Sequence, residues 1–171
     1  MALSNPNPEA LQPKLIAQKC KPWIYILLGH LRSSSNTNGL HVAELAKSPV
    51  KTIVPITAKT KEQALAQAKV IAANPDVDLA EFRIDLLDFA NETKQVIALG
   101  QELKQILGNK PMIATIRTHN EGGKLTISDV DYGKTYQAYL KHPFMDMLDV
   151  EMFRDQQIVK NIVKLAHDKN V

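Results

Sequence analysis

The sequence predicts an α/β fold in which short strands alternate with helices around a parallel sheet. Three observations predict it. Apolar, β-branched runs recur at TIVPIT (52–57), the segment around 78–84, PMIATIR (111–117) and MDMLDVEMF (145–153). Each run is followed by a stretch of helical period. The stretches open on capping residues and close on Gly, Pro or Asn. Strands that alternate with helices need crossover connections, and those are right-handed.

Each element has its own signature. Thr60 and Gln63 have the spacing of a capping box, Leu65, Ala68, Ile71 and Ala72 form an apolar stripe, and Pro75 stops the first helix. A second helix is expected from about Asn91 to Leu107, with Val96, Leu99, Leu103 and Ile106 inward and Gly108 as its end. Ser128 can cap a third, running to about Lys141 before Pro143. Asp155 caps a fourth, with Val159, Ile162, Val163 and Ala166 inward and Asn170 as its stop.

Residues 1–40 read differently. Pro6, Pro8, Pro13 and Pro22 precede the apolar run WIYILLGHL (23–31) and the polar stretch 33–39. The run is too short to span a bilayer. Lys14, Lys19 and Lys21 ahead of it give the outline of a signal peptide, but no small-residue cleavage site follows closely. An irregular, poorly ordered N-terminal extension is expected over 1–40, and a single domain over 41–171.

The composition narrows the function classes. Hydrophobic content of 44%, charged content of 23% and a net charge of +3 are ordinary for a soluble domain, so a cytoplasmic protein is expected. Arg and Lys are not interleaved with aromatics, and no nucleic-acid partner is expected. No membrane partner is expected either, since no run approaches the length of a spanning helix. Cys20 is the single cysteine, and the five histidines are scattered without ligand spacing, so no metal is expected.

The polar residues of the strands choose between an open doubly wound sheet and a barrel. Residues two apart in a strand share a face. Strand two carries Ala80, Phe82, Ile84 and Leu86 on one face, and Val77, Leu79, Glu81, Arg83 and Asp85 on the other. Strand three places Ile113, Thr115 and Arg117 together, and strand four Met145, Met147, Asp149 and Glu151. Three inward faces therefore turn charged at their C-terminal ends. A sheet covered on both sides has no room for such a face, whereas a barrel gathers binding residues at its C-terminal mouth. The plainer alternative, charges in solvent just past a strand end, accounts for Asp85 and Asp146 but less well for three strands in succession. Glu81, Arg83, Arg117, Asp149 and Glu151 would line one cavity suited to a small polyhydroxylated or carboxylated ligand, because guanidinium forks bind oxygen pairs and carboxylates accept from hydroxyls.

The segments IVPITAKT, EFRIDLLD, ATIRTHNEGG and MLDVEMF, in this order and at these spacings, closely resemble type I 3-dehydroquinate dehydratase of the shikimate pathway, over about residues 41–171. The resemblance implies a homodimeric or larger (β/α)8 TIM-barrel lyase that dehydrates 3-dehydroquinate to 3-dehydroshikimate with no cofactor. A lysine forms an imine with the substrate ketone, and a histidine removes the neighbouring proton. Residue by residue, it implies that Glu81 and Arg83 bind substrate hydroxyls and that Arg117 contacts substrate. Glu121 matches the glutamate that orients the histidine, and Asp149 and Glu151 match supporting acids. Pro55 lies where some members have a substrate-contacting serine, and it supplies neither hydroxyl nor N–H. The expected histidine and imine-forming lysine lie on strands five and six, beyond Val171. His167, His119, Lys59 and Lys124 are not expected to replace them.

Only the first four β-α units of the barrel are thus expected, a half barrel of doubtful activity alone. Two other readings stay open: a non-catalytic half barrel that works only by associating with another chain, and a different sugar-phosphate or aldolase-like barrel. The last finds no glycine-rich phosphate loop to support it. Strands one and four would be open edges, a template for association, with Leu79, Ile113 and Met147 left without an opposing layer. In isolation the chain is expected to be partly molten or to pair edge to edge. A compact, dye-silent monomer in size-exclusion chromatography would contradict this.

Overall fold

The structure, a computed structural model, describes residues 51–171. The extension expected over 1–40, Cys20 and residues 41–50 lie outside the described residues. Four strands, β1 (Ile53–Ile56), β2 (Leu79–Arg83), β3 (Met112–Thr115) and β4 (Met147–Asp149), alternate with helices α1 (Lys61–Ala73), α2 (Thr93–Leu107), α3 (Asp129–Lys141) and α4 (Gln156–Asp168). The strands form one parallel sheet in the order β1-β2-β3-β4. A doubly wound sheet reverses its order at a switch point. Here the order never reverses, so crossovers of one hand place every helix on the same face. This is half of a (β/α)8 barrel.

The core lies between that face and the helices. Ile56, Ala80, Phe82, Met112, Ala114 and Ile116 pack with Ala68 and Ile71 of α1, Val96, Leu99 and Leu103 of α2, three tyrosines of α3 and Ile162 of α4. The alternation that buries Ala80 and Phe82 turns Glu81 and Arg83 to the other side. On that other face Ile53 is exposed, and Ile113 and Met147 are half-buried. Leu79, expected to be bared with them, is buried.

Helix ends follow their capping chemistry. The side chains of Thr60, Ser128 and Asp155 accept from the amides of Gln63, Asp131 and Gln157. The capping box of α1 is only half made as expected, because the Gln63 side chain accepts from Lys59 N and not from Thr60 N. The buried stripe of α1 runs through Ala64, with Leu65 and Ala72 half-buried. β2 stops at Arg83, where Ile84–Leu86 coil into a 3-10 turn, so the strand alternation does not reach Leu86. Asn170 adopts φ 59° after α4, the left-handed stop its position suggested.

Beneath the sheet the aromatic rings of Phe82, Phe144, Tyr139, Tyr136 and Tyr132 stack edge to face in a chain. Phe144 reaches α2 only because position 100 is glycine: a Cβ there would lie 2.3 Å from its ring. Gly100→Ala is therefore expected to cost about 1–3 kcal/mol through overpacking, read as a lowered urea midpoint at unchanged slope.

Candidate active site

The site lies at the C-terminal end of the inner face. Register sets its rows. Pro55, Glu81, Ile113 and Met147 pair across all four strands, and one step onward Arg83, Thr115 and Asp149 pair across the last three. Arg117 leaves just past the end of β3, and Glu121 follows in the 3-10 turn His119–Glu121. Glu151 lies two residues beyond β4.

These side chains meet in one place. Arg117 Nη1 donates to Glu121 at 2.8 Å, and its Nη2 donates to Asp149. The Asp149 carboxyl also feels the charges of Glu81 and Glu151, and the Arg83 guanidinium feels both Glu81 and Asp149. Glu81 is half-buried and, among the described residues, has no hydrogen-bonded partner, so its oxygens stand ready to accept. Glu151 is different. It is buried, and its carboxylate accepts from the Thr118 amide and hydroxyl, both at 2.7 Å, and from Arg154 Nε at 3.0 Å. It is saturated by protein and braces the floor.

Electrostatics follow from the crowding. Burial raises the Asp149 carboxyl above the ordinary aspartate range; Arg117 opposes this, while Glu81, Glu121 and Glu151 add to it. Burial alone would weaken the hold of Arg117 on its proton, yet Asp149, Glu121 and Glu151 together raise it. Burial likewise raises the Tyr132 and Tyr136 hydroxyls, keeping both protonated. The Tyr136 hydroxyl donates to Asp149 O at 2.7 Å and accepts from Ile116 N at 3.1 Å, and the Tyr132 hydroxyl accepts from Glu151 N at 3.0 Å. The third helix thereby fixes the ends of β3 and β4.

The plainer alternative, charges in solvent past a strand end, fails for the two carboxylates it covered. Asp85 is 3% exposed and accepts both arms of the Arg83 guanidinium, so Arg83 pairs with Asp85 rather than with Glu81. Asp146, 8% exposed, accepts from Met112 N and from Lys104 at the opposite end of the sheet. A buried charge is retained where its hydrogen bonds are filled, and in both cases they are. Sequence reasoning also missed Thr118, Arg154 and the two tyrosines. The spacing of Tyr132 and Tyr136, four apart on one helical face, was the available signal for the tyrosines.

The remaining candidates stand apart. His119 is exposed in its turn, and His167 lies in α4. Lys59 and Lys124 are exposed on an open cleft of about 410 Å³ beside the site, shared with Thr57, Asp85, Asp88 and Asn91. Pro55 is exposed on β1 and presents no hydroxyl. No group of three potential ligand side chains that could hold a metal ion occurs among the described residues, and none of their helices is long and apolar enough to cross a membrane.

Comparison with known proteins places these features in context. The family model for type I 3-dehydroquinase matches residues 52–171. The catabolic 3-dehydroquinate dehydratase of Acinetobacter baylyi is 64% identical over 140 residues, which are 82% of this chain and 50% of that protein. The 3-dehydroquinate dehydratase of Lactiplantibacillus plantarum is 41% identical, covering 75% of this chain and 50% of the relative. The solved structure of the Enterococcus faecalis 3-dehydroquinate dehydratase superposes with a TM-score of 0.68 at 32% identity, over 71% of this chain and 50% of that one. The chain spans about half the length of the relatives it matches.

The charge balance is directly measurable. Asp149 binds its proton more tightly folded than unfolded, so above the ordinary aspartate range its ionisation lowers stability as pH rises until the folded group has titrated. A carboxyl-carbon NMR titration should place Asp149 above that range, and Arg117→Gln, by removing the opposing cation, should move its midpoint higher still. A midpoint that falls in the variant would contradict the pairing.

Proposed function

The chain belongs to the type I 3-dehydroquinase family, and from that premise we propose that the inner end of its sheet binds 3-dehydroquinate as part of its dehydration to 3-dehydroshikimate. The observation that carries this reading is the convergence of Arg83, Arg117 and Glu81, which is unpartnered among the described residues, at the ends of neighbouring strands. A cyclic polyol acid offers hydroxyl donors to a carboxylate and oxygen acceptors to guanidinium groups. In this reading Glu81 and Arg83 take substrate hydroxyls and Arg117 contacts the ring substituents. Glu121, Asp149 and Glu151 hold the guanidinium groups and the floor in place.

Imine chemistry needs a lysine freed of its proton and a base within hydrogen-bond reach of the proton removed. Lys59, Lys124 and His119 are exposed, and none donates a side-chain bond into the cluster among the described residues. We assign the lysine and histidine of this family's reaction to segments outside the four units of 51–171, so those four units taken by themselves bind without turning over. The domain of 41–171 works in the cytoplasm within a homo-oligomer, a dimer in the full-length family, and uses no metal or cofactor.

Isothermal titration with 3-dehydroquinate tests the binding. The parent chain should bind, and Arg117→Ala or Arg83→Ala should weaken binding about tenfold or more, the scale of a lost charge-assisted bond. Borohydride added to the mixture should leave lysine masses unchanged. A lysine adduct would place imine chemistry within this chain. Absence of binding in a folded parent would overturn the reading, and binding of another chain instead would favour the association role.

A further inference from the structure

Asp85 sits in the 3-10 turn that follows β2, with its side chain 0% exposed. Four donors converge on it. Arg83 Nε and Nη2 reach Oδ1 and Oδ2 at 2.9 Å each, the Arg117 amide reaches Oδ1 at 3.3 Å, and the Lys124 amide reaches Oδ2 at 3.4 Å. These donors come from three different segments: the end of β2, the end of β3 and the return arm of the loop that leads to α3. Glu121 hangs at the tip of that loop. The loop is pinned on its other side as well, since Gly123 N donates to Thr118 O and His119 N to Leu125 O, both at 2.8 Å. A Cβ at Gly123 would lie 1.7 Å from the Arg117 carbonyl oxygen, so the return arm lies flat against the strand end.

We propose that Asp85 is the positioning residue of this site. It touches no ligand. Its fork fixes the plane of the Arg83 guanidinium and, among the described residues, leaves both Nη1 hydrogens free to donate. Its two amide contacts hold the strand and loop from which Arg117 and Glu121 project. One carboxylate therefore sets the spacing between Arg83, Arg117 and Glu121. The inference rests on the reading that those side chains meet the ligand. An asparagine of the same size cannot replace the carboxylate, because its NH2 would oppose a guanidinium arm or an amide hydrogen.

The test uses the whole chain and separates this inference from the binding reading. In nitrogen-15 spectra the Arg83 Nε–H of the parent should exchange at least about tenfold more slowly than that of free arginine, as expected of a buried charge-assisted bond. Asp85→Asn should bring that rate to the free value and speed exchange at the Arg117 and Lys124 amides, while the Phe82 and Leu99 amides stay protected. Affinity for 3-dehydroquinate should fall about tenfold or more. The same substitution added to Arg83→Gln should lose less than it does alone. An Arg83 Nε–H unprotected in the parent, or equally protected in Asp85→Asn, overturns the inference. If Asp85→Asn does not fold, the parent rate alone decides. If the parent binds no 3-dehydroquinate, the ligand reading fails and the exchange rates still judge Asp85.

Discussion

The inner face of this sheet is organised by a charge balance around Arg117. Its guanidinium lies between Glu121 and Asp149, and the charges of Glu81 and Glu151 lie close by. Partial burial strengthens every one of these interactions, because the surrounding medium screens less than water does. Without the cation, carboxylates on neighbouring strand ends would repel one another. With it, they compress into a polar hollow whose protonation state depends on how far Asp149 resists ionisation. The strands, the loop after β3 and the tyrosines of α3 are arranged to keep this one guanidinium in reach of its partners.

Much of this was legible in the sequence, for identifiable reasons. Strand alternation is a strict period, so Ala80 and Phe82 facing the helices required Glu81 and Arg83 to face away. Ser128 and Asp155 announced their helices because an orphan amide at a helix start has few side chains that can satisfy it. The type I 3-dehydroquinase family was legible in the four segments and their order. Other features were not. Asp85 stands in the same alternating series as Glu81 and Arg83, but a charge at a strand end reads by default as solvated. Only the 3-10 turn brings the amides of Arg117 and Lys124 around it. Asp146 is sheltered by Lys104, 42 residues away in sequence, a pairing no local pattern encodes. The capping box failed on its second arm because the amide before the cap offered Gln63 an equivalent donor.

Fold and site also differ in how their contacts are distributed. The core grows by one β-α unit at a time, each packing on the next. The site ignores that modularity: Arg154, after β4, binds Glu151, the Ile127 carbonyl and Asp129 and lies over the Tyr132 ring. Loop residues from two units are thus tied to one helix start. A polar network of this kind is satisfied as a whole or is strained as a whole, which is why so many of its members are aromatic hydroxyls or guanidinium groups with several donors or acceptors each.

The flat seat of Gly123 on the Arg117 carbonyl has a consequence for recognition. A loop closed by backbone bonds on one side and held by a buried carboxylate on the other has little freedom left to surrender when a guest arrives. The ordering cost of that loop falls on folding, so any ligand bound beside it would meet backbone already in place. Were a ligand to bind there, shape and charge would be read against fixed backbone, and affinity differences would be expressed in how long it stays.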